Sequence, residues 1–144
     1  REAIEAFELD LPRVSARARR LSEARRLRMA RGLRARARRA YRAGEHAEAE
    51  RLYRQALTYN AWDVAAVEGV ARAAAQQDRF PEAVAWARLA VERNPRSVVA
   101  YRVLGDVWRQ AGFSDEAARA YRRGLARDAD NAVLRRRLAR VRGE

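Results

Sequence analysis

Small and apolar residues recur along the chain at the spacings of three and four that are typical of amphipathic helices. Late in the chain this pattern predicts one helix over residues 98–111 and a second helix that begins near Ser114. Between them, Gly112 suits a helix C-cap with positive φ, and Ser114 suits an N-cap. Pro81 fits the first turn of an equivalent second helix earlier in the chain. The pattern therefore predicts pairs of helices joined by short turns.

The same pattern returns every 34 residues, which is the spacing between Glu48, Glu82 and Glu116. Other positions keep the same residue type or size at this spacing: Arg54, Arg88 and Arg122; Leu57, Val91 and Leu125; Ala37, Ala71 and Gly105. A fixed period of this length is typical of repeat proteins in which each unit is one supersecondary element. We assign three units, over residues 30–63, 64–97 and 98–131.

The last unit carries the two blocks that suggest a family. The block from Tyr101 to Trp108 has Leu104-Gly105 at its centre, and Ala117 is followed four residues later by Tyr121. These blocks resemble the tetratricopeptide repeat (TPR) signature, Trp-x₂-Leu-Gly-x₂-Tyr followed by Ala-x₃-Phe, with aromatic exchanges. The resemblance covers residues 30–131. It implies an all-α fold, a right-handed α-solenoid of three TPR-type helical hairpins.

Further helices are predicted at both ends of the repeats. Apolar residues from Leu11 to Leu27 predict a helix over 12–29 that packs on the first repeat or completes a degenerate upstream repeat. It belongs to a basic N-terminal segment, residues 1–29, of which 1–9 are predicted to be a frayed lead-in. Residues 132–144 predict a capping helix, which an end repeat needs because no neighbour covers its apolar face.

The amino-acid composition argues against several classes of function. The chain has no Cys and a single His, His46, which we interpret as a solvated turn residue, and it lacks the Gly-rich loops and ligand clusters of phosphate or metal sites. We therefore predict no enzyme, no cofactor and no metal site. No run of apolar residues reaches the length of a membrane span. The chain opens on Arg1, so we interpret it as a piece of a longer protein, with a cytoplasmic location as the default expectation.

The formal net charge of +13 is unevenly distributed. Residues 13–39 contain twelve Arg and only Glu23, whereas residues 40–131 are close to neutral. Trp86 and Trp108 fall at positions expected in the core, and Trp62, at a unit boundary, could pack between repeats or contact a ligand.

In the TPR family the first helices of successive units line a concave groove. On this chain the corresponding stripe carries eight Arg against Glu68 and Asp106, so the resemblance implies a groove for an acidic or carboxylate-ended protein segment. The predicted peptide contacts are Arg34, Arg38, Tyr41, Arg72, Arg102 and Arg109. The competing interpretation is a solvated charged face whose Arg pair with the two acids. The carboxylate clamp of some relatives is not transferred, because Gly69, Val99 and Val103 replace its polar residues.

A second hypothesis concerns the basic N-terminal segment. Its Arg clusters could bind nucleic acid or an anionic membrane surface, and the residues assigned to this role are Arg17, Arg19, Arg20, Arg25 and Arg26. Residues 13–39 contain no aromatic side chain for base stacking, so only nonspecific electrostatic binding is predicted there. The segment could instead be covered by an acidic domain of the parent protein or by a second copy of the chain.

Overall fold

The computed structural model describes residues 1–143, and these residues form helices and no strand. The helices are α1 Glu2–Glu5, α2 Ala16–Arg19, α3 Glu23–Arg42, α4 His46–Tyr59, α5 Val64–Gln76, α6 Phe80–Arg93, α7 Val98–Gln110, α8 Ser114–Arg127 and α9 Ala132–Val141. The predicted all-α class is confirmed.

Three helical hairpins make up the body of the molecule. The hairpins are α3 with α4, α5 with α6, and α7 with α8. The first hairpin packs on the second through the contact of α4 with α5, and the second packs on the third through the contact of α6 with α7. The first helices lie side by side, with α5 between α3 and α7. Helix α9 packs on α8 and buries Leu134 completely. The last position of the predicted capping segment, 144, lies outside the described residues.

The turns and caps of the hairpins repeat at the period of the sequence. Positive φ angles occur at Gly44 (82°), Asp78 (59°) and Gly112 (91°), so the predicted conformation of Gly112 is confirmed. Asp63, Ser97 and Asn131, which share the same 34-residue spacing, cap the next helix by accepting a hydrogen bond from a backbone N–H three residues ahead.

The prediction that Ser114 is an N-cap is wrong. Ser114 is the first residue of α8, and the N-cap position is held by Phe113, which makes no side-chain capping hydrogen bond. Phe113 instead packs against the core and meets the Trp108 ring edge-on, with 5.6 Å between ring centroids. Packing thus takes precedence over capping at the start of this helix.

Small residues let the helices approach closely, as the repeat pattern predicted. An added Cβ at Gly69 would lie 2.4 Å from the Tyr53 ring, and one at Gly105 would lie 2.4 Å from the Tyr121 ring. Trp86 and Trp108 are buried, which confirms their core positions. Trp62 is 69% exposed and does not belong to the core.

The prediction of one helix over residues 12–29 is wrong. Ser15 caps α2, and Ser22 caps α3 by accepting a hydrogen bond from the Arg25 N–H at 3.3 Å. These two caps divide the region into a short helix and a long one, because each Ser side chain takes the place of an intrahelical carbonyl partner. Helix α3 therefore begins at Glu23, before the predicted unit boundary at residue 30.

Residues 1–15, which we call the N-terminal strap, cross the second helices of all three hairpins. Arg1 pairs with Glu116 of α8 at 2.6 Å, α1 packs on α6, and the Ser15 N–H donates to the Thr58 carbonyl of α4 at 2.9 Å. Ile4 and Leu9 are partly buried against the core. The lead-in that was predicted to be frayed is therefore bound to the repeats, because its apolar side chains find a surface on α6.

Candidate peptide-binding face

The predicted site residues lie on the side-by-side helices α3, α5 and α7, whose shared surface we call the first-helix face. Burial raises the pKa of the Tyr53 hydroxyl, and the nearby positive charges of Arg38 and Arg72 oppose that rise. The positive charges of Arg72 and Arg102 both lower the pKa of Glu68. These shared neighbours join Arg38, Arg72 and Arg102 into one continuous surface, although they are about one repeat apart in sequence.

Arg34 has a partner inside the molecule. Its Nη1 atom donates to both carboxylate oxygens of Asp63, at 2.7 and 2.6 Å, and Asp63 is 6% exposed. Asp63 also accepts from the Ala66 N–H as the cap of α5. A charge held in this way joins two hairpins and is less accessible to a ligand than the other Arg of the face.

Tyr41 forms a small cluster at the α3 end of the face. Its ring meets His46 edge-on with 5.0 Å between centroids, and the Arg72 guanidinium lies 5.9 Å from the Tyr41 ring centroid. His46 is only partly exposed at the start of α4, and its Nδ1 is buried without a hydrogen-bond partner. The expected solvated turn residue is therefore a packing partner of Tyr41. The cluster presents an aromatic ring beside a cation, an arrangement that can contact both an apolar and an acidic group.

Glu68 lies at the centre of the face and is 7% exposed. Burial raises the pKa of Glu68, and the charges of Arg72 and Arg102 only partly oppose that effect. Within residues 1–143 this carboxylate forms no ion pair, and its Oε2 atom has no hydrogen-bond partner. Arg72 and Arg102 are thus incompletely neutralised.

The other predicted acid is bound to the body of the molecule. Asp106 accepts a hydrogen bond from the Tyr121 hydroxyl at 2.6 Å and pairs with Arg137 of α9. Burial and this hydrogen bond raise the pKa of Tyr121 to about 12, while the nearby Arg109 opposes the shift. Asp106 therefore fixes α7, α8 and α9 together instead of neutralising the Arg predicted to contact a peptide.

The result is a face with excess positive charge. Among the described residues, Arg31, Arg38 and Arg109 form no ion pair. The sequence interpretation missed three residues that shape this face, Asp63, Tyr53 and Arg137. Of these three, only Asp63 could have been identified from the sequence, since an Asp directly before a helical pattern is typical of an N-cap. Tyr53 and Arg137 act through tertiary contacts, which the sequence does not show.

The residues of the second hypothesis lie elsewhere. Arg17 and Arg19 belong to α2, Arg20 follows it, and Arg25 and Arg26 are in the first turn of α3. Arg26 is half-buried and the other four are exposed. No ion pair involves any of these five within the part of the chain that the structure describes.

Neither a membrane span nor a metal site is found in residues 1–143. None of the described helices has the length and apolarity to cross a bilayer. No three His, Cys, Asp or Glu side chains among these residues gather closely enough to hold a metal ion.

This geometry, helical hairpins stacked with first helices adjacent, defines an α-helical repeat solenoid. Residues 34–98 match the tetratricopeptide repeat family. The family match covers these residues and agrees with the resemblance that the signature blocks indicated. Tetratricopeptide domains are protein–protein interaction modules. No curated protein matches the sequence.

Solved structures support the fold. The first TPR domain of human RPAP3 is 22% identical, with a TM-score of 0.74 over 80% of this chain and 91% of that chain. The Arabidopsis OM64 TPR domain is 19% identical, with a TM-score of 0.74 over 82% and 98%. The first TPR of Spaghetti (RPAP3), solved with the HSP90 peptide SRMEEVD, is 20% identical, with a TM-score of 0.73 over 81% and 93%. At these identities the likeness concerns the fold.

Proposed function

We propose that the first-helix face binds an acidic segment of another protein. The observation that carries the proposal is that Arg38 and Arg72 share the neighbour Tyr53, while Arg72 and Arg102 lie near a buried Glu68 that forms no ion pair within residues 1–143. Guanidinium groups bind carboxylates through charge-assisted hydrogen bonds. The peptide solved with the Spaghetti domain, SRMEEVD, itself carries acidic residues, which supports this class of ligand.

Binding of a Glu-rich peptide with a free carboxyl end tests the proposal. We expect Arg38→Gln with Arg72→Gln to weaken binding by more than tenfold, because hydrogen bonds to charged groups contribute about 1.5–3 kcal/mol each. Calorimetry or fluorescence anisotropy would measure the affinity. The matched control is Arg19→Gln with Arg20→Gln, which removes the same charge from exposed positions outside the face. Equal losses in both variants, or equal binding of a Gln-substituted peptide, would contradict the proposal.

Glu68→Gln gives a test in the opposite direction. An ionised Glu68 competes with the ligand for Arg72 and Arg102, so its removal should strengthen binding at neutral pH. Because burial raises the pKa of Glu68, lowering the pH protonates it before the peptide carboxylates, whose usual pKa is about 4.3. Wild-type affinity should therefore rise toward that of the variant as the pH falls. A variant that binds more weakly than wild type would place the ligand elsewhere.

A further inference from the structure

Trp62 is exposed but held in place. The residue is 69% exposed, and the Arg93 guanidinium lies 4.1 Å from the centroid of its ring. Arg93 is anchored by a hydrogen bond from Nη1 to the Ala61 carbonyl, and the backbone N–H of Trp62 donates to Asn60 Oδ1 at 3.3 Å. An exposed aromatic ring fixed by its neighbours loses little conformational entropy when it binds a ligand.

The indole lines an open depression of about 430 Å³ together with Arg13, Arg19 and Arg26. These Arg come from the strap, from α2 and from α3, and no carboxylate lines the depression. None of the three forms an ion pair within residues 1–143, and the Arg26 Nε is buried without a hydrogen-bond partner. Three unpaired cations thus converge beside one exposed ring.

The fold in this way supplies what residues 13–39 lack. Those residues have no aromatic side chain, but the tertiary structure brings Trp62 next to their Arg. Stacking of bases on aromatic rings combined with cationic contacts to phosphates is how proteins bind single-stranded nucleic acids. A duplex keeps its base faces stacked inside, so it cannot use the indole. An acidic peptide or an anionic membrane surface would use the cations but offers no base to stack on the indole.

We infer that the Trp62 depression binds single-stranded nucleic acid, with one base stacked on the indole and the backbone phosphates contacting Arg13, Arg19 and Arg26. The site is separate from the first-helix face and does not depend on the function proposed for that face.

Titration with end-labelled single-stranded oligo(dT) and oligo(U) tests the inference, and the anisotropy of the label gives the affinity of every variant. In the proteins that keep Trp62, its fluorescence reports stacking, since Trp86 and Trp108 are buried. We expect quenching on binding, a loss of affinity of about tenfold in Trp62→Ala, and affinity close to wild type in Trp62→Phe. Arg13→Gln with Arg19→Gln and Arg26→Gln should also weaken binding and reduce the slope of log affinity against log salt by about 2. Circular dichroism checks that each variant remains folded.

The control is Arg36→Gln with Arg39→Gln and Arg42→Gln, which removes equal charge from exposed positions of α3 that form no ion pair within residues 1–143. Unchanged quenching and near wild-type affinity in this variant would support the site. The inference would be overturned by an equal loss of affinity in the control or by full affinity in Trp62→Ala. Equal binding of a duplex of the same length would also overturn it. So would displacement of the oligonucleotide by poly-Glu or anionic vesicles that themselves bind at Trp62. Glu-rich peptide binding to the first-helix face should be unaffected by Trp62→Ala.

Discussion

Gly105 and Tyr121 illustrate how single residues set the distance between the helices of a hairpin. The Tyr121 ring occupies the space that a Cβ at Gly105 would need, and its hydroxyl is fixed by Asp106. Gly32, in contrast, lies in α3 with no atom within 4 Å of an added Cβ. The two glycines are both helical, but only one is required by packing.

Alanine at these two positions should therefore change stability in opposite directions. Gly105→Ala should lower the free energy of unfolding by about 1–3 kcal/mol, since overpacking forces the ring or a helix to move. Gly32→Ala should raise it by about 0.5–1 kcal/mol, because Ala restricts the unfolded chain and favours the helix. Urea unfolding followed by circular dichroism measures both. A neutral Gly105→Ala would mean that Tyr121 can move aside at little cost.

At this scale the sequence predicted that small residues stand where helices meet, since Gly105 falls on the same register as Ala37 and Ala71. It could not predict that Arg34 is held by Asp63, because the two residues meet only when one hairpin packs on the next. Side-chain partners across repeats depend on rotamers and on the packing distance, which the period alone does not specify.

At the scale of elements, the N-terminal strap is the part of the fold least apparent from the sequence. A four-residue helix such as α1 is too short to be stable in water by itself. It forms because Ile4 and Leu9 are partly buried against the core and Arg1 and Glu5 pair with residues of α8 and α6. The strap thus forms ion pairs of both polarities, Arg1 with Glu116 of α8 and Glu5 with Arg88 of α6.

Ile4→Ala with Leu9→Ala should release the strap without unfolding the repeats. We expect faster hydrogen exchange at the amides of Glu5, Ala6 and Ser15, whose hydrogen bonds depend on the strap being bound. Exchange within the buried faces of α5 and α7 should change little. Leu11→Ala is the control, because Leu11 is 60% exposed. Equal effects of both variants, or global loss of protection, would show that the strap is not an independent element.

At the scale of the whole molecule, the net charge of +13 opposes compaction. Folding brings the Arg of three hairpins and the N-terminal segment together, and many of them, including Arg38 and Arg39, form no ion pair within residues 1–143. The exposed ion pairs of the surface contribute at most about 1 kcal/mol each and are themselves screened by salt. Repulsion should therefore dominate the response to ionic strength.

Added NaCl should raise the melting temperature, because the Debye length falls from about 30 Å at 0.01 M to about 8 Å at 0.15 M. The variant Arg36→Gln with Arg39→Gln and Arg42→Gln, which carries three fewer charges, should show a smaller increase. Differential scanning calorimetry measures both proteins under the same conditions. A melting temperature that falls with salt would indicate that ion pairs stabilise the fold more than the excess charge destabilises it.

The sequence by itself determined the repeat, the helical class, the turn at Gly112 and the core positions of Trp86 and Trp108, because these follow from local periodicity and backbone preference. It failed between residues 12 and 29, where two Ser caps compete with a helical pattern. Only the tertiary structure decided that Asp63 holds Arg34, that the strap crosses the second helices, and that Trp62 stands beside Arg13 and Arg26. Such contacts join residues far apart in the chain, and they exist only once the hairpins have packed.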